Sequence, residues 1–180
     1  MRWEPYQVES EFIGIDFQAD EVSKRIVAVE KNGKIHNYNL EGDYFPLSAK
    51  LSKNKINAFV YINTWGDKRK DFHFLIGKTL YIYAYDKKNS FDLRINRNFD
   101  HPQDTIFGLL THQTYAKLGT LDKTREQIRV LDETGKDLFG FPLAASTAFE
   151  IMEIPEQKIP LLVTCLRETV YAYSVQLGNQ

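Results

Sequence analysis

One loop of the sequence carries the residue types most suited to chemistry. Residues 63–71 read Asn-Thr-Trp-Gly-Asp-Lys-Arg-Lys-Asp, a mixture of oxygen donors and cations. Calcium requires roughly six to eight oxygen ligands, but Tyr61 and Trp65 stand where the first and third acidic ligands would be, and the cations repel the ion. We therefore predict a turn without metal, in which Asp71 hydrogen-bonds the loop backbone.

Trp65 is the best single candidate for contacting a partner, provided that its side chain is exposed. Tryptophan and arginine side chains dominate the energetics of binding surfaces. The alternative is that Trp65 covers the edge of its own sheet, which is the more economical interpretation.

Four histidines are present, and none of them has the spacing of a zinc site. His36 and His73 alternate with apolar neighbours, so we expect them on strand surfaces. His101 and His112 fall in or near one connection and are candidates for a binding surface, although a chance pairing in a loop is simpler. No nucleophile elbow or phosphate-binding loop occurs. We predict no catalytic residue, no metal and no cofactor.

Tyr81, Tyr83 and Tyr85 alternate along one apolar run. Such a row could form a platform for sugars or nucleobases, which makes Tyr81 and Tyr85 candidate binding residues. The alternative, that the row fills the space between sheets, is favoured. Basic residues interleave only at Arg94 and Arg97, and 23 basic residues balance 24 acidic ones. Nucleic acid is therefore not an expected partner.

A hairpin pattern organises the elements that must position these residues. Residues 26–40 place Asn32-Gly33 between two strand-like runs, a strong signal for a hairpin turn. The pattern returns three times. Its first apolar residue after the turn is Ile35, Leu80, Ile128 and then Val170, at intervals of 45, 48 and 42 residues. A large apolar residue follows three positions later in each copy, so the repeat is maintained by packing positions.

Each hairpin is flanked by further strand-like runs. The runs that precede the hairpins are residues 12–17, 56–62, 106–110 and 149–154, and the runs that follow the first three are residues 45–49, 91–95 and 138–143. A period in the forties with several short strands is typical of propeller blades. We predict an all-β domain over residues 1–180, a β-propeller with four blades. The repeats span about 10–53, 54–101, 102–147 and 148–176.

The fourth repeat lacks an outer strand. Residues 2–8 match the outer strand of the third repeat in their spacing from the next strand, so we expect them to supply it and to close a four-bladed ring. An unpaired strand edge invites aggregation, which ring closure avoids. The alternative is a four-blade portion of a larger propeller, or a half-ring that a second copy completes.

Composition sets broad limits on the class of protein. Hydrophobic residues make up 43% and charged ones 26%, an ordinary globular mixture. No run approaches the length of a membrane span, so we expect no membrane insertion. The N-terminus encodes no signal peptide and begins abruptly, which suggests a fragment. Cys165 is the single cysteine and lies in an apolar run, so we expect it to be buried.

The repeats resemble quinoprotein-type and WD-type β-propeller repeats in length and strand order. Several strings, at residues 59–67, 70–74, 140–143 with 147–149, and 169–175, also resemble the C-terminal repeats of large bacterial envelope proteins that are predicted to carry propellers. The resemblance implies a periplasmic or cell-envelope location. It suggests a non-catalytic interaction or structural module whose partner is another protein or the rest of a longer polypeptide.

Two other functions stay open at this point. One is a domain that binds glycans or small ligands through the axial channel or an aromatic row. The other is an enzyme with its site at one end of the channel.

Overall fold

The chain is described by a computed structural model over residues 8–19, 24–45, 47–48, 55–67, 69–85, 91–109, 116–152, 154 and 159–175. These residues contain β-strands and no helix, so the all-β prediction is confirmed for the part of the chain that is described.

The strands form four antiparallel sheets, each ordered as in the sequence. Sheet 1 contains β1 (Phe12–Ala19), β2 (Lys24–Glu30), β3 (Lys34–Asn39) and β4 (Leu47–Ser48). Sheet 2 contains β5 (Ala58–Ile62), β6 (Asp71–Ile76), β7 (Thr79–Tyr85) and β8 (Phe91–Asn98). Sheet 3 contains β9 (Thr105–Leu109), β10 (Lys117–Asp122), β11 (Gln127–Leu131) and β12 (Leu143–Ala144). Sheet 4 contains β13 (Glu150–Met152), β14 (Leu161–Leu166) and β15 (Thr169–Ser174).

All four predicted hairpins form, and each turn holds one residue at positive φ. These residues are Gly33, Gly77, Glu126 and Arg167, with φ of 89°, 57°, 52° and 56°. Glycine adopts this conformation without steric cost, whereas an ordinary side chain is disfavoured there. The last two turns therefore depend on their surroundings more than the first two do.

The outer strands are less regular than predicted. β12 contains only Leu143 and Ala144, and the described part of β4 is Leu47 and Ser48. Isolated bridges of Tyr38 with Tyr44 and of Leu131 with Asp137 precede these two strands. β8 is longer than predicted and ends at Asn98. The proposed outer strand at residues 2–8 lies almost entirely outside the described residues, so ring closure by it stays a prediction.

Neighbouring sheets pack face to face and share three apolar cores. We call the face of a sheet that meets the following sheet its leading face, and the opposite one its trailing face. Core 1/2 joins Ile35 of sheet 1 to Tyr83 of sheet 2. Core 2/3 joins Leu80 to Leu131. The third, core 3/4, contains Ile128 and the partly buried Tyr173.

Glycines allow close approach between these sheets. A Cβ atom added at Gly14 of β1 would lie 2.7 Å from the Phe59 ring of β5, and one added at Gly108 of β9 would lie 2.9 Å from Ile62 of β5. The first strands β1, β5 and β9 consequently lie side by side, which is the arrangement of inner strands around a propeller axis.

Candidate functional site

The loop between β5 and β6 is shaped by its own side chains. Asn63 Oδ1 accepts the backbone N–H groups of Trp65 at 3.1 Å and of Gly66 at 2.9 Å. Asp67 Oδ1 accepts the backbone N–H of Arg69 at 3.0 Å. Two oxygens that could have served a cation therefore fold the loop. The Trp65 side chain is 42% exposed, which meets the condition for a contact residue; its binding role stays a prediction.

Asp71 lies beneath this loop in a buried polar cluster with Thr64 and His73. Thr64 Oγ1 lies 3.4 Å from Asp71 Oδ2 and 3.3 Å from His73 Nε2. The other ring nitrogen, His73 Nδ1, donates to the backbone carbonyl of Asp71 at 3.0 Å. The three side chains are at most 6% exposed. The expectation that His73 lies on a strand surface is wrong, because its ring points into the leading face of sheet 2 beside Leu75.

Burial changes the proton affinity of both ionisable groups in this cluster. Burial, and then repulsion by Asp67, raises the pKa of Asp71 to about 7. Burial lowers the pKa of His73 to about 4, because its bonds to backbone carbonyls compensate only in part. At neutral pH the histidine is uncharged and the carboxyl is close to half-protonated. Both groups are buried, at 4% and 0% exposed, and their side chains meet through Thr64 Oγ1.

Lys70 connects the same loop to sheet 1. Its Nζ donates to Asp16 Oδ1 and to the carbonyl of Phe17, both at 2.8 Å. The ammonium group also lies 5.4 Å from the centre of the Tyr61 ring. The cation that argued against calcium thus joins the ends of two neighbouring first strands.

A second buried polar cluster occupies the opposite end of sheet 1. Glu30 Oε1 lies 2.5 Å from His36 Nε2, and the Tyr44 hydroxyl lies 3.3 Å from His36 Nδ1. The other oxygen, Glu30 Oε2, accepts the backbone N–H groups of Glu9 at 3.1 Å and of Ser10 at 2.6 Å. Burial raises the pKa of Glu30, but the bonds from His36, Ser10 and Glu9 outweigh it and the pKa is lowered.

The Glu30 cluster was missed because residues 30–36 read as an ordinary hairpin. His36 was expected on a strand surface and is instead 2% exposed. The glutamate that ends an otherwise apolar strand, Ile-Val-Ala-Val-Glu at 26–30, was the available signal, because a buried carboxylate must find several donors.

The remaining sequence candidates lie in separate places. Tyr81 is half-buried and packs against core 1/2, where the neighbouring Tyr83 stacks on Phe91 with ring centres 4.8 Å apart. His101 is half-buried in the connection between sheets 2 and 3, and its carbonyl accepts Gln103 Nε2 at 3.1 Å. The side chain of Tyr85 and all of His112 lie outside the described residues. Among the candidates that the structure describes, only Trp65 and Asp71 lie near each other, in the β5–β6 loop and at the start of β6, so these described candidates do not assemble into one site.

A repeated hydrogen bond, also missed from sequence, holds each sheet to its hairpin turn. A polar residue before the first strand of each sheet accepts the backbone N–H of a turn residue. The pairs are Ser10 with Asn32 at 3.3 Å, Asn57 with Gly77 at 2.5 Å, Asp104 with Lys123 at 2.6 Å and Ser146 with Arg167 at 2.8 Å. The residue type differs among the four sheets, and only the side-chain oxygen that accepts the bond is common to them. A comparison of residue identities between the repeats therefore could not reveal this hydrogen bond.

Apolar side chains are exposed at the two ends of the row of sheets. On the trailing face of sheet 1, Phe12, Ile15 and Phe17 are 40%, 70% and 42% exposed. On the leading face of sheet 4, Met152 and Val170 are 52% and 68% exposed. Cys165 lies on that face and is half-buried, where full burial was expected.

Two classes of site leave no trace in the described part of the chain. No group of three or more histidine, cysteine, aspartate or glutamate residues is arranged there to hold a metal ion. Across the same residues, no helix has the length and apolar character needed to cross a membrane.

Consecutive antiparallel meanders packed face to face define a propeller-like fold. The solved structure of BBS1N in complex with ARL6DN, which contains a β-propeller domain, is similar to this chain with a TM-score of 0.58. The match covers 91% of this chain at 14% sequence identity and 51% of the other chain. The chain thus spans about half the length of that structure. No family model matches the sequence, and no curated protein matches it.

Proposed function

We propose that this chain is a non-catalytic protein-interaction module of the propeller type, belonging to a bacterial envelope protein. The observation that carries the proposal is the exposed apolar trailing face of sheet 1, formed by Phe12, Ile15 and Phe17. Soluble proteins rarely leave contiguous apolar surface exposed unless it is an interaction site. Aromatic side chains are also enriched where proteins bind one another.

The polar clusters support a non-catalytic role. Glu30 and Asp71 are each 4% exposed or less, and the donors around them belong to the chain itself. A general acid or base must come within hydrogen-bond reach of a substrate. The aromatic row that could have bound a sugar is partly used for packing, since Tyr83 is 4% exposed.

The structural neighbour supports a protein as the class of partner. BBS1N is seen in complex with ARL6DN, so a propeller-containing domain of related fold is found bound to another protein. The fold by itself does not fix the function, which is why the exposed face is the main support.

The proposal is tested by photo-crosslinking in the cell of origin. A benzoyl-phenylalanine residue replaces Phe17, which lies on the trailing face of sheet 1, or Phe139, which is 99% exposed in the connection between β11 and β12 of sheet 3. We expect a discrete polypeptide adduct from position 17 and a much weaker one from position 139. Equal labelling at both positions, or no adduct at position 17, would contradict an interaction face there.

The envelope location rests on the sequence resemblance and needs a separate test. A membrane-impermeant amine reagent applied to spheroplasts should label the lysines of this chain if it faces the periplasm. Labelling only after lysis would contradict the location without touching the interaction face.

A further inference from the structure

The four sheets follow one packing rule at every junction inside the chain. The first apolar residue after the hairpin turn lies on the leading face, and the large apolar residue three positions later lies on the trailing face. Core 1/2 therefore pairs Ile35 with Tyr83, core 2/3 pairs Leu80 with Leu131, and core 3/4 pairs Ile128 with Tyr173.

In the described part of the chain, the leading face of sheet 4 and the trailing face of sheet 1 carry exposed apolar side chains. Ile35, Leu80 and Ile128 are all 0% exposed, whereas Val170, which holds the same place in sheet 4, is 68% exposed. At the other end of the row, Tyr38 holds the trailing-face place in sheet 1 beside the exposed side chains of β1. A fourth junction would pair Val170 with Tyr38.

The side chains on the two end faces are similar in type to those on the two faces that meet in core 1/2. In core 1/2 the leading face of sheet 1 is aliphatic, with Val27 and Val29, and the trailing face of sheet 2 is aromatic, with Phe72 and Phe74. The same division appears at the ends of the row. The leading face of sheet 4 carries mostly aliphatic or small side chains, namely Met152, Leu161, Val163, Cys165, Val170 and Ala172, together with the polar Glu150 and Ser174. The trailing face of sheet 1 carries Phe12, Ile15, Phe17 and Tyr38, together with Ile26, Ala28 and the buried pair of Glu30 and His36.

These faces do not cover each other within one chain, because Val170 and Ile15 are 68% and 70% exposed. Both halves of the missing junction are nevertheless encoded in this sequence. The match covers 51% of a propeller-containing chain, so one copy of this chain spans about half the length of that chain.

We propose that a second copy of this chain occupies both end faces, head to tail. The leading face of sheet 4 in each copy packs on the trailing face of sheet 1 in the other, and Val170 meets Tyr38 at both junctions. A head-to-tail contact closes a ring when its rotation permits, and eight sheets lie within the usual range of propellers. This inference rests on the proposed interaction role of the sheet 1 face and names its partner.

The first experiment measures molar mass by light scattering during size-exclusion chromatography. We expect a species of twice the 21.0 kDa chain mass at micromolar concentration. Ile15→Lys and Val170→Lys each place a charge in both junctions and should each give a monomer with an unchanged circular dichroism spectrum, since both residues are exposed in the single chain. The matched control, Phe139→Lys, alters an exposed residue away from both faces and should remain a dimer.

Mixing the two monomeric variants tests the head-to-tail arrangement. The Ile15→Lys chain keeps its sheet 4 face and the Val170→Lys chain keeps its sheet 1 face, so an equimolar mixture can rebuild one junction. We expect dimers in the mixture although neither variant dimerises alone. A dimer formed through two identical faces would instead be broken by only one of the two substitutions.

Three results would overturn the inference. They are a wild-type monomer at all accessible concentrations, a dimer that only one lysine variant dissociates, and polymers that grow with concentration. A monomer whose position 17 still crosslinks to a different polypeptide would overturn the second copy and leave the proposed function standing. A monomer without any adduct at position 17 would overturn both.

Discussion

Asp71 and His73 should respond to pH in opposite directions. Between about pH 4 and pH 6.5, folded Asp71 keeps a proton that the unfolded chain releases, so its contribution to stability falls as pH rises. Folded His73 lacks a proton that the unfolded chain binds in the same range, so its contribution rises with pH. The two slopes offset each other in the wild-type chain.

Each substitution should therefore expose the slope of the other group. Relative to wild type, we expect the free energy of unfolding of Asp71→Asn to rise more steeply with pH, and that of His73→Gln to rise less steeply. The difference should be roughly 1–3 kcal/mol across the window, measured by urea unfolding at several pH values.

Asp100→Asn serves as the control for these pH slopes, since Asp100 is an exposed aspartate outside the cluster. It should leave the slope unchanged. If the two substitutions changed the slope in the same direction relative to wild type, the two groups would not carry the proton affinities assigned to them.

The repeated bond between a first strand and its hairpin turn should stabilise each sheet separately. Asn57→Ala removes the oxygen that accepts the Gly77 N–H at 2.5 Å and should lower the free energy of unfolding by about 1 kcal/mol. Asn57→Asp retains an acceptor and should lose much less. Hydrogen exchange of the Gly77 amide should accelerate in the alanine variant alone.

The analogous substitution in sheet 3 tests whether the bond is a common device. Asp104→Ala removes the acceptor of the Lys123 N–H and should cost a similar amount, with faster exchange at Lys123 and not at Gly77. If both alanine variants were as stable as wild type, the four bonds would be incidental.

The close approach of sheets 1 and 2 should depend on the absence of a side chain at Gly14. Gly14→Ala brings a Cβ within 2.7 Å of the Phe59 ring and should destabilise the protein by roughly 1–3 kcal/mol, as overpacked cores do. Phe59→Leu makes room for the methyl group. The double variant should therefore lose less stability than the sum of the single variants, and strict additivity would contradict a direct clash.

The elements that the sequence predicted well are those with local signals. Asn32-Gly33 and the alternation after it define a hairpin by backbone sterics, so its position was predictable. The isolated bridges that precede β4 and β12, such as that of Tyr38 with Tyr44, were not predictable, because no local residue pattern marks them. The cluster of Asp71 with His73 was equally invisible, since a strand register seven to nine residues after Thr64 decides it.

At the scale of the whole molecule, the repeat interval predicted which apolar positions recur as packing positions in every sheet. Ile35 and Tyr38 were recognised from sequence as a recurring pair of packing positions. Their assignment to opposite faces, and hence to different junctions, follows from the alternation of a strand. The repeat interval could not predict the number of sheets in the ring. Every junction packs the same two kinds of face, whatever the number of sheets.

A row of sheets that each contact only their neighbours should unfold from its ends. Sheets 2 and 3 are packed on both faces, whereas sheets 1 and 4 are packed on one, so amides of β6 and β10 should exchange at least about tenfold more slowly than those of β14. Leu162→Ala, which opens core 3/4 at a residue that is 0% exposed, should abolish protection in sheet 4 while β6 stays protected. Uniform loss of protection in all four sheets would contradict this picture.

The same measurement depends on concentration if a second copy covers the end faces. Dilution should then accelerate amide exchange in β1 and β15 first. Dissociation exposes the faces of these two strands, whereas the inner sheets keep all their packing contacts. Val170→Lys should show the fast pattern at every concentration. The exchange rates of β1 and β15 could instead stay the same on dilution, in a protein that has twice the chain mass. The contact between copies would then lie somewhere other than at the two end faces.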